Sequence, residues 1–333
     1  MHLPALLVVL ACVLDRLVGD PRWMLHPVQA MGWTIQWLRQ RSEEWAGDAP
    51  WRLRLAGVGI TLLLTLGSGL LGWLLEQLAR QHPLEGSLVV LVGLASALAG
   101  RSLEKAVRDV LRGLPDLEAA RAQLAWIVGR EVMHLPEPEI LRAAAETTAE
   151  NAVDGLFAPL FWMMVGAVLA GQWSLAPGPL ALAWIFKASS TLDSMLGYRH
   201  GKLRWLGTAG ARLDDVLTWA PTRLVALTLP LITGAPRCWL ARFNVALREG
   251  ASDPSPNAGV SQAAYAQAVQ VQLGGRNRYP DGWREKPILG PGFKLPDQRA
   301  VENMLRLTLR LELLWLSGFV LGVWALGTGV WIQ

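Results

Sequence analysis

Two uncharged runs of 21 residues, 55–75 and 313–333, are each long enough to cross a bilayer as a helix. A chain that carries them must either bury them in a large soluble core or place them in lipid. Only 17% of the 333 residues are charged and 52% are hydrophobic, where soluble domains carry about 25% charged residues; mean hydropathy is +0.29. The balance favours a polytopic membrane protein with sizeable polar loops. Residues 86–100 follow the first run after a loop holding Glu76, Arg80 and Glu85, which predicts a helical hairpin. The uncharged segment 156–186 has Gln172, Pro177, Gly178 and Pro179 near its middle, so it divides into two crossings, 156–171 and 175–191. The short run 3–14 contains Val9-Leu10-Ala11-Cys12, a faint lipoprotein cleavage pattern, but no Lys or Arg precedes it. It reads as an uncleaved first helix.

Basic residues set the topology. Of the 31 Lys and Arg, six fall in 15–54, seven in 101–154, six in 187–223 and eleven in 237–310, leaving only Arg80. The positive-inside rule makes those four regions cytoplasmic, with six crossings and both termini outside. Residues 224–236 are uncharged but only 13 long, with Pro230 and Gly234 inside, and predict a re-entrant or interfacial segment. Residues 237–312 read as a cytoplasmic region with short helices. The fold class is all-α, a polytopic membrane helix bundle with cytoplasmic helical loops. Cys12 and Cys238 sit in apolar sequence and suggest neither a disulfide framework nor a zinc site.

The chemistry gathers in a few polar stretches beside apolar ones. In ETTAENAVDG, Glu146, Glu150 and Asp154 recur at i, i+4 and i+8 and share one helical face. Like charges on one stripe repel unless a cation neutralises them, and oxygen ligands suit magnesium alongside substrate phosphates. A solvated helix face is the ordinary alternative. KASSTLDSMLGY supplies Lys187 and Asp193; ARLDDVLTWAPTR supplies Arg212, Asp214, Asp215 and Arg223. Paired carboxylates can hold a metal or accept a proton, and Lys or Arg can clamp phosphates; the alternative for each basic residue is positive-inside anchoring. His26 lies in a shaped loop with Asp15, Asp20, Pro21 and Pro27 as a base or phosphate ligand, or as a hydrogen-bonded loop residue. SPNAG, residues 255–259 with Asn257 at its centre, opens an amphipathic helix expected to run to Leu273 and end at Gly274-Gly275. Such an opening can bind an anion or be ordinary capping.

No P-loop, HExxH, GxSxG or GxGxxG motif is present. The 17 Trp are scattered through spans and at their ends, as in interfacial belts, and a net charge of +4 does not indicate nucleic acid.

These stretches, taken in order with DRLVGDPRWMLHPVQAMGW near the start and LGG and Tyr279 after SPNAG, resemble the cobinamide-phosphate synthase family of cobalamin biosynthesis over most of the chain. The chain departs from the family pattern at Ser189-Ser190, Leu206 and Thr218, while the acidic positions remain. The resemblance implies a multi-pass protein of the bacterial inner membrane whose active site faces the cytoplasm. It also implies an ATP- and magnesium-dependent carbon–nitrogen ligase joining a carboxylate of the corrinoid adenosylcobyric acid to aminopropanol phosphate or aminopropanol. Membrane lipid and other membrane-bound enzymes of the pathway are the implied surroundings. On that basis Asp193, Asp214, Asp215 and Lys187 are assigned to catalysis, Arg212, Arg223, His26 and Asn257 to nucleotide and phosphate binding, and Glu146, Glu150 and Asp154 to metal. Two rivals stand beside it. A membrane prenyl or phosphoalcohol transferase would also use Asp pairs with magnesium, and Glu150-Asn151-Ala152-Val153-Asp154 imitates half of its signature. A transporter or membrane regulator would instead place charges inside the spans.

Overall fold

The computed structural model describes residues 3–20, 26–234, 236–279 and 282–327. Residues 21–25 of the first motif and 328–333 of the last expected span lie outside that set. The chain begins with α1 (Leu3–Val18), α2 (Pro27–Ala46), α3 (Pro50–Gln81), α4 (Pro83–Ala95), α5 (Gly100–Gly113), α6 (Leu117–Leu124) and α7 (Glu137–Ala152). A π turn, Val153–Phe157, leads into α8 (Ala158–Gln172), α9 (Pro179–Leu196), α10 (Leu203–Leu206) and α11 (Thr208–Thr228). Two 3₁₀ turns, Leu229–Ile232 and Pro236–Cys238, precede α12 (Trp239–Gly250) and α13 (Ala258–Val269). The antiparallel strands β1 (Leu273–Tyr279) and β2 (Gly282–Leu289) come next, then α14 (Gln298–Gly327).

Among the described residues, four helical stretches are long and apolar enough to cross a membrane: Pro50–Gln81, Pro83–Gly113, Glu137–Gln172 and Gln298–Leu326. They contain the expected spans 55–75, 86–100 and 156–171 and the described part of 313–333. Residues 3–14 fall within α1, of 16 residues, and most of 175–191 within α9, of 18; neither helix is in that set. The chain is a helical membrane protein.

The chain divides into two compact units. The first comprises Met1–Ala99, Ala158–Leu217 and Leu316–Gln333, the second Gly100–Phe157 and Thr218–Trp315. In the first, α9 packs against α3, α8, α2 and α4. Lipid offers little hydrophobic drive between helices, so close backbone approach at small residues must hold them together. A Cβ on Gly72 of α3 would lie 2.9 Å from Ala181 Cα of α9. Glu76, expected in a loop, lies in α3 and is buried; its carboxylate accepts from the amides of Gly178, at 2.9 Å, and Leu180, at 2.6 Å. Those amides open α9 and would otherwise lack partners. Leu62, Leu63, Leu66 and Leu70 of α3 remain exposed, as a lipid-facing stripe requires.

In the second unit α13 packs on α12 and α7, and α7 also meets α5, α6 and β1. Every residue of α13 from Gly259 to Ala266 is buried, which corrects the amphipathic reading of this helix. It also stops earlier than Leu273. Gln270 takes a left-handed backbone, φ 57°, and closes it; Gly274 and Gly275, φ 83° and 98°, shape an irregular start to β1 instead of a helix end. The hairpin was not foreseen in an all-α chain: a seven-residue and an eight-residue strand rich in charge lack an apolar alternation. The segment 224–236 closes α11 and turns through 3₁₀ at Pro230, with Gly234 at φ 77°. Cys12 is buried and Cys238 exposed, and neither is in a disulfide; the exposure of Cys238 departs from its expected apolar setting.

Replacing Gly72 by Leu should destabilise the detergent-solubilised protein by about 1–3 kcal/mol, the usual effect of overpacking. Gly59→Leu, where an added Cβ meets nothing within 4 Å, should leave the unfolding transition unchanged.

Candidate active site

On the acidic face of α7, Glu146 is buried and Glu150 half-buried, so this is not a solvated helix face. Glu146 is 2% exposed and lies between two guanidiniums. One oxygen accepts from Arg142 Nη1 at 3.0 Å and from the Gly274 amide at 2.8 Å, and the other accepts from Arg130. Arg142, one turn earlier on the same helix, also pairs with Glu139 and donates to the carbonyls of Gly274 and Arg276. The Asn277 side-chain carbonyl accepts from Arg130 at 2.7 Å and from Arg142 at 2.9 Å. Buried charges are tolerated only when paired and hydrogen-bonded, and here each charge meets several partners. The result ties α7 to the start of the hairpin.

Beside this lattice is a cavity of ≈ 630 Å³. Arg276, Arg278, His134, Glu131 and Glu139 line it together with Trp283, Met133 and Ile288, and Arg278 pairs with Glu131 at 2.7 Å. Arg276 lies 4.4 Å from the Trp283 ring centroid. Asn277, 2% exposed, also lines the cavity, and its amide nitrogen has no hydrogen-bond partner in the structure. A buried donor left unmatched costs about 1–3 kcal/mol, so this one is suited to an acceptor on a ligand.

One turn beyond Glu146, Glu150 accepts from Gln262 Nε2 of α13 at 3.0 Å. Lys286 of β2 stands 3.9 Å from Asp253, whose side chain is 4% exposed and whose Oδ2 is buried without a hydrogen bond. Burial by itself would depress the Lys286 ammonium, yet the carboxylates of Glu150, Asp253 and Glu146 outweigh it and hold the group above the ordinary lysine range. It is therefore a fixed cation at neutral pH. SPNAG has a structural account here. A Cβ on Gly259 would lie 2.4 Å from Asp253 Cβ, so glycine lets α13 start against Asp253. Ser255 Oγ accepts from the amides of Asn257 and Ala258, at 3.3 and 3.1 Å.

The expected site residues divide as follows. Glu146, Glu150, Asp154, Arg223 and Asn257 belong to the second unit. Asp154 stands in the π turn, which breaks the α-helical register of the proposed i, i+4, i+8 stripe. A three-acid magnesium site there does not fit: Glu146 has both oxygens engaged by arginines and an amide, and among the described residues no group of three His, Cys, Asp or Glu could hold a metal. Arg223 donates to Asn257 Oδ1 at 2.5 Å and to the Pro256 carbonyl at 2.8 Å, and stacks on Trp219, so this pair holds the SPNAG loop.

Lys187, Asp193, Arg212, Asp214, Asp215 and His26 belong to the first unit. Lys187 and Asp193 are half-buried on α9, and each has a polar partner. The Asp193 carboxylate lies over Gly197, where a Cβ would come within 2.1 Å of Oδ1, which accounts for the glycine of KASSTLDSMLGY. Arg212 is largely exposed and 3.7 Å from Asp215; burial pushes the Asp215 carboxyl above its usual range, with Arg212 and Arg199 opposing. His26 caps α2, its Nδ1 accepting from the Val28 amide at 3.3 Å and Nε2 lying 3.2 Å from Asp20. That is a structural assignment for a residue expected to bind phosphate.

Arg130, Arg142, Asp253, Gln262, Asn277 and Lys286 were missed. Arg142 was detectable as the basic residue at i−4 from Glu146, and Asp253 as the acid leading into SPNAG; nothing local marked Lys286.

The family model described as CobD/Cbib protein matches residues 8–308. The chain belongs to this family. Among curated CobD/Cbib relatives, the "Cobalamin biosynthesis protein CobD" of Synechocystis is 40% identical over 287 residues, covering 85% of this chain and 81% of the relative. The protein of that name from Geobacter metallireducens is 40% identical over 316 residues, 92% and 93% of the two chains. The "Cobalamin biosynthesis protein CbiB" of Salmonella arizonae is 37% identical over 325 residues, 93% and 97%. No solved structure matches. Every residue of the lattice and of the Lys286 cluster falls inside the span that the CobD/Cbib model covers.

Removing the Glu146 carboxylate should leave two buried guanidiniums uncompensated. Glu146→Ala is expected to lose about 3–5 kcal/mol of stability, measured by chemical denaturation in detergent; a loss below 1 kcal/mol would contradict the lattice.

Proposed function

We propose that this chain is a membrane enzyme of cobalamin biosynthesis that joins adenosylcobyric acid to aminopropanol phosphate, or to aminopropanol, at the expense of ATP. The family names support the pathway and weigh against the transferase and transporter readings. The observation that carries the chemistry is the Lys286 ammonium held among Glu150, Asp253 and Glu146. A carboxylate is a poor acyl donor. Its oxygen would attack the γ-phosphorus of ATP, forming an acyl phosphate as the bond to ADP breaks. The amine nitrogen would then attack the acyl carbon, the carbon–oxygen bond would break, and inorganic phosphate would leave. Both steps build negative charge on oxygen, which a fixed ammonium stabilises. The attacking amine must lose a proton, and Glu150 or Asp253 would take it.

The Arg-lined cavity with the Asn277 amide is the companion site for a phosphate-bearing or carboxylate-bearing substrate, and Trp283 offers an aromatic face. Magnesium would enter as the counter-ion that ATP carries on its phosphates; one or two carboxylates suffice to complete its shell, and whichever of Glu150 and Asp253 does not take the proton would be the acid for it. The distribution of basic residues supports a site on the cytoplasmic face of the inner membrane.

The test mixes purified protein with adenosylcobyric acid, aminopropanol phosphate, ATP and magnesium and follows the amide product by mass spectrometry. Product should form and vanish without nucleotide; no product with any of the two amines would end the proposal. Lys286→Met and Glu150→Gln should each lower kcat by roughly 100-fold or more; the unfolding transition should stay near that of the parent in Glu150→Gln, while Lys286→Met, which leaves the buried Asp253 without its cation, should also lose stability. Full activity in both variants would move the chemistry elsewhere.

A further inference from the structure

A second basic groove, of ≈ 620 Å³, is made by the end of α13, the start of α14, α12 and the turn at Thr233. None of its lining residues takes part in the site around Lys286. Arg242, Arg306 and Arg310 line it together with Gln270 and Asn303, and no acidic residue lines it. Arg306 pairs at 3.3 Å with Glu302, outside the lining and itself part-exposed. Three guanidiniums thus line one groove, and Glu302 is paired with one of them. Like charges held together repel unless an anion joins them.

The groove is also a built one. Arg242 Nη1 donates to Thr233 Oγ1 at 2.8 Å, and that hydroxyl donates to the Pro230 carbonyl, which fixes the guanidinium. Asn303, Arg306, Leu307 and Arg310 recur at i, i+3, i+4 and i+7, a single face of α14. Arg310 stands three residues before Leu313, where the uncharged part of α14 begins, about 4.5 Å along the helix axis. That is headgroup depth for a helix entering a bilayer.

We propose that this groove binds a phosphate group through Arg242, Arg306 and Arg310. Guanidinium forks match phosphate oxygens in pairs, and basic pockets beside membrane helices take anionic headgroups. The same chemistry is offered by an anionic phospholipid and by a free phosphate or diphosphate, so both are probes. The full chain in neutral detergent is titrated with short-chain phosphatidylglycerol, short-chain phosphatidylcholine and inorganic pyrophosphate, with binding followed by native mass spectrometry and thermal shift. Phosphatidylglycerol or pyrophosphate should bind saturably, and R242Q/R310Q should weaken that binding at least tenfold with an unliganded Tm close to the parent's. Phosphatidylglycerol binding with pyrophosphate inert identifies a lipid headgroup; the converse identifies a soluble phosphate. Should the double variant fail to fold, Arg310→Gln, at an exposed position, should weaken binding at least threefold. Absence of binding by both anions, phosphatidylcholine binding as tightly as phosphatidylglycerol, or variants that bind like the parent would overturn the proposal.

Discussion

The interaction on which the second unit depends is the Glu146 carboxylate between Arg130 and Arg142, closed by the Gly274 amide. Moving three charges out of water costs several kcal/mol per ion, and attraction repays it only where further hydrogen bonds satisfy the remaining donors and acceptors. Arg142 meets that demand through Glu139, Asn277 and the carbonyls of Gly274 and Arg276. What the lattice supplies is therefore specificity more than net stability. It fixes the phase of α7 and the start of β1, and so sets where Glu150 and Lys286 come to rest.

That arrangement explains how a polar site can exist on a helix that continues into an apolar span. Glu137–Gln172 is apolar enough to cross a membrane, yet its first half holds Arg142, Glu146 and Glu150. The charges are screened from lipid because α5, α6, α13 and β1 surround α7. In the first unit Glu76 solves a related problem by supplying a carboxylate to the open amides of α9. Carboxylates in this chain act first as organisers of backbone, and only those left over are available for chemistry.

The helices were legible in the sequence because span length and Pro-Gly breaks are local signals: the apolar run 55–75 lies in α3, most of 86–100 in α4, and the division at 172–179 falls between α8 and α9. The acidic motif was legible as a place of importance but not in its partners. Glu146 reads as a metal ligand until Arg130, 16 residues away, and Gly274, 128 residues away, are brought to it. The hairpin escaped notice because its strands are charged and its start rests on two left-handed glycines. Lys286 looked like one of eleven basic residues in a cytoplasmic region. Its distinction, burial among acids, exists only after folding. His26, Arg223 and Asn257 carried the right residue types for anion binding, but short-range capping and a loop contact account for them.

The central claim is that the Glu146 lattice holds the hairpin against α7. Hydrogen exchange in the full chain, read by mass spectrometry on peptides covering 273–289, tests it directly by comparing the parent with Glu146→Gln, which keeps the shape and removes the charge. Protection across the hairpin should fall at least tenfold while peptides from α3 keep theirs. Equal protection of the hairpin in both proteins would contradict the account.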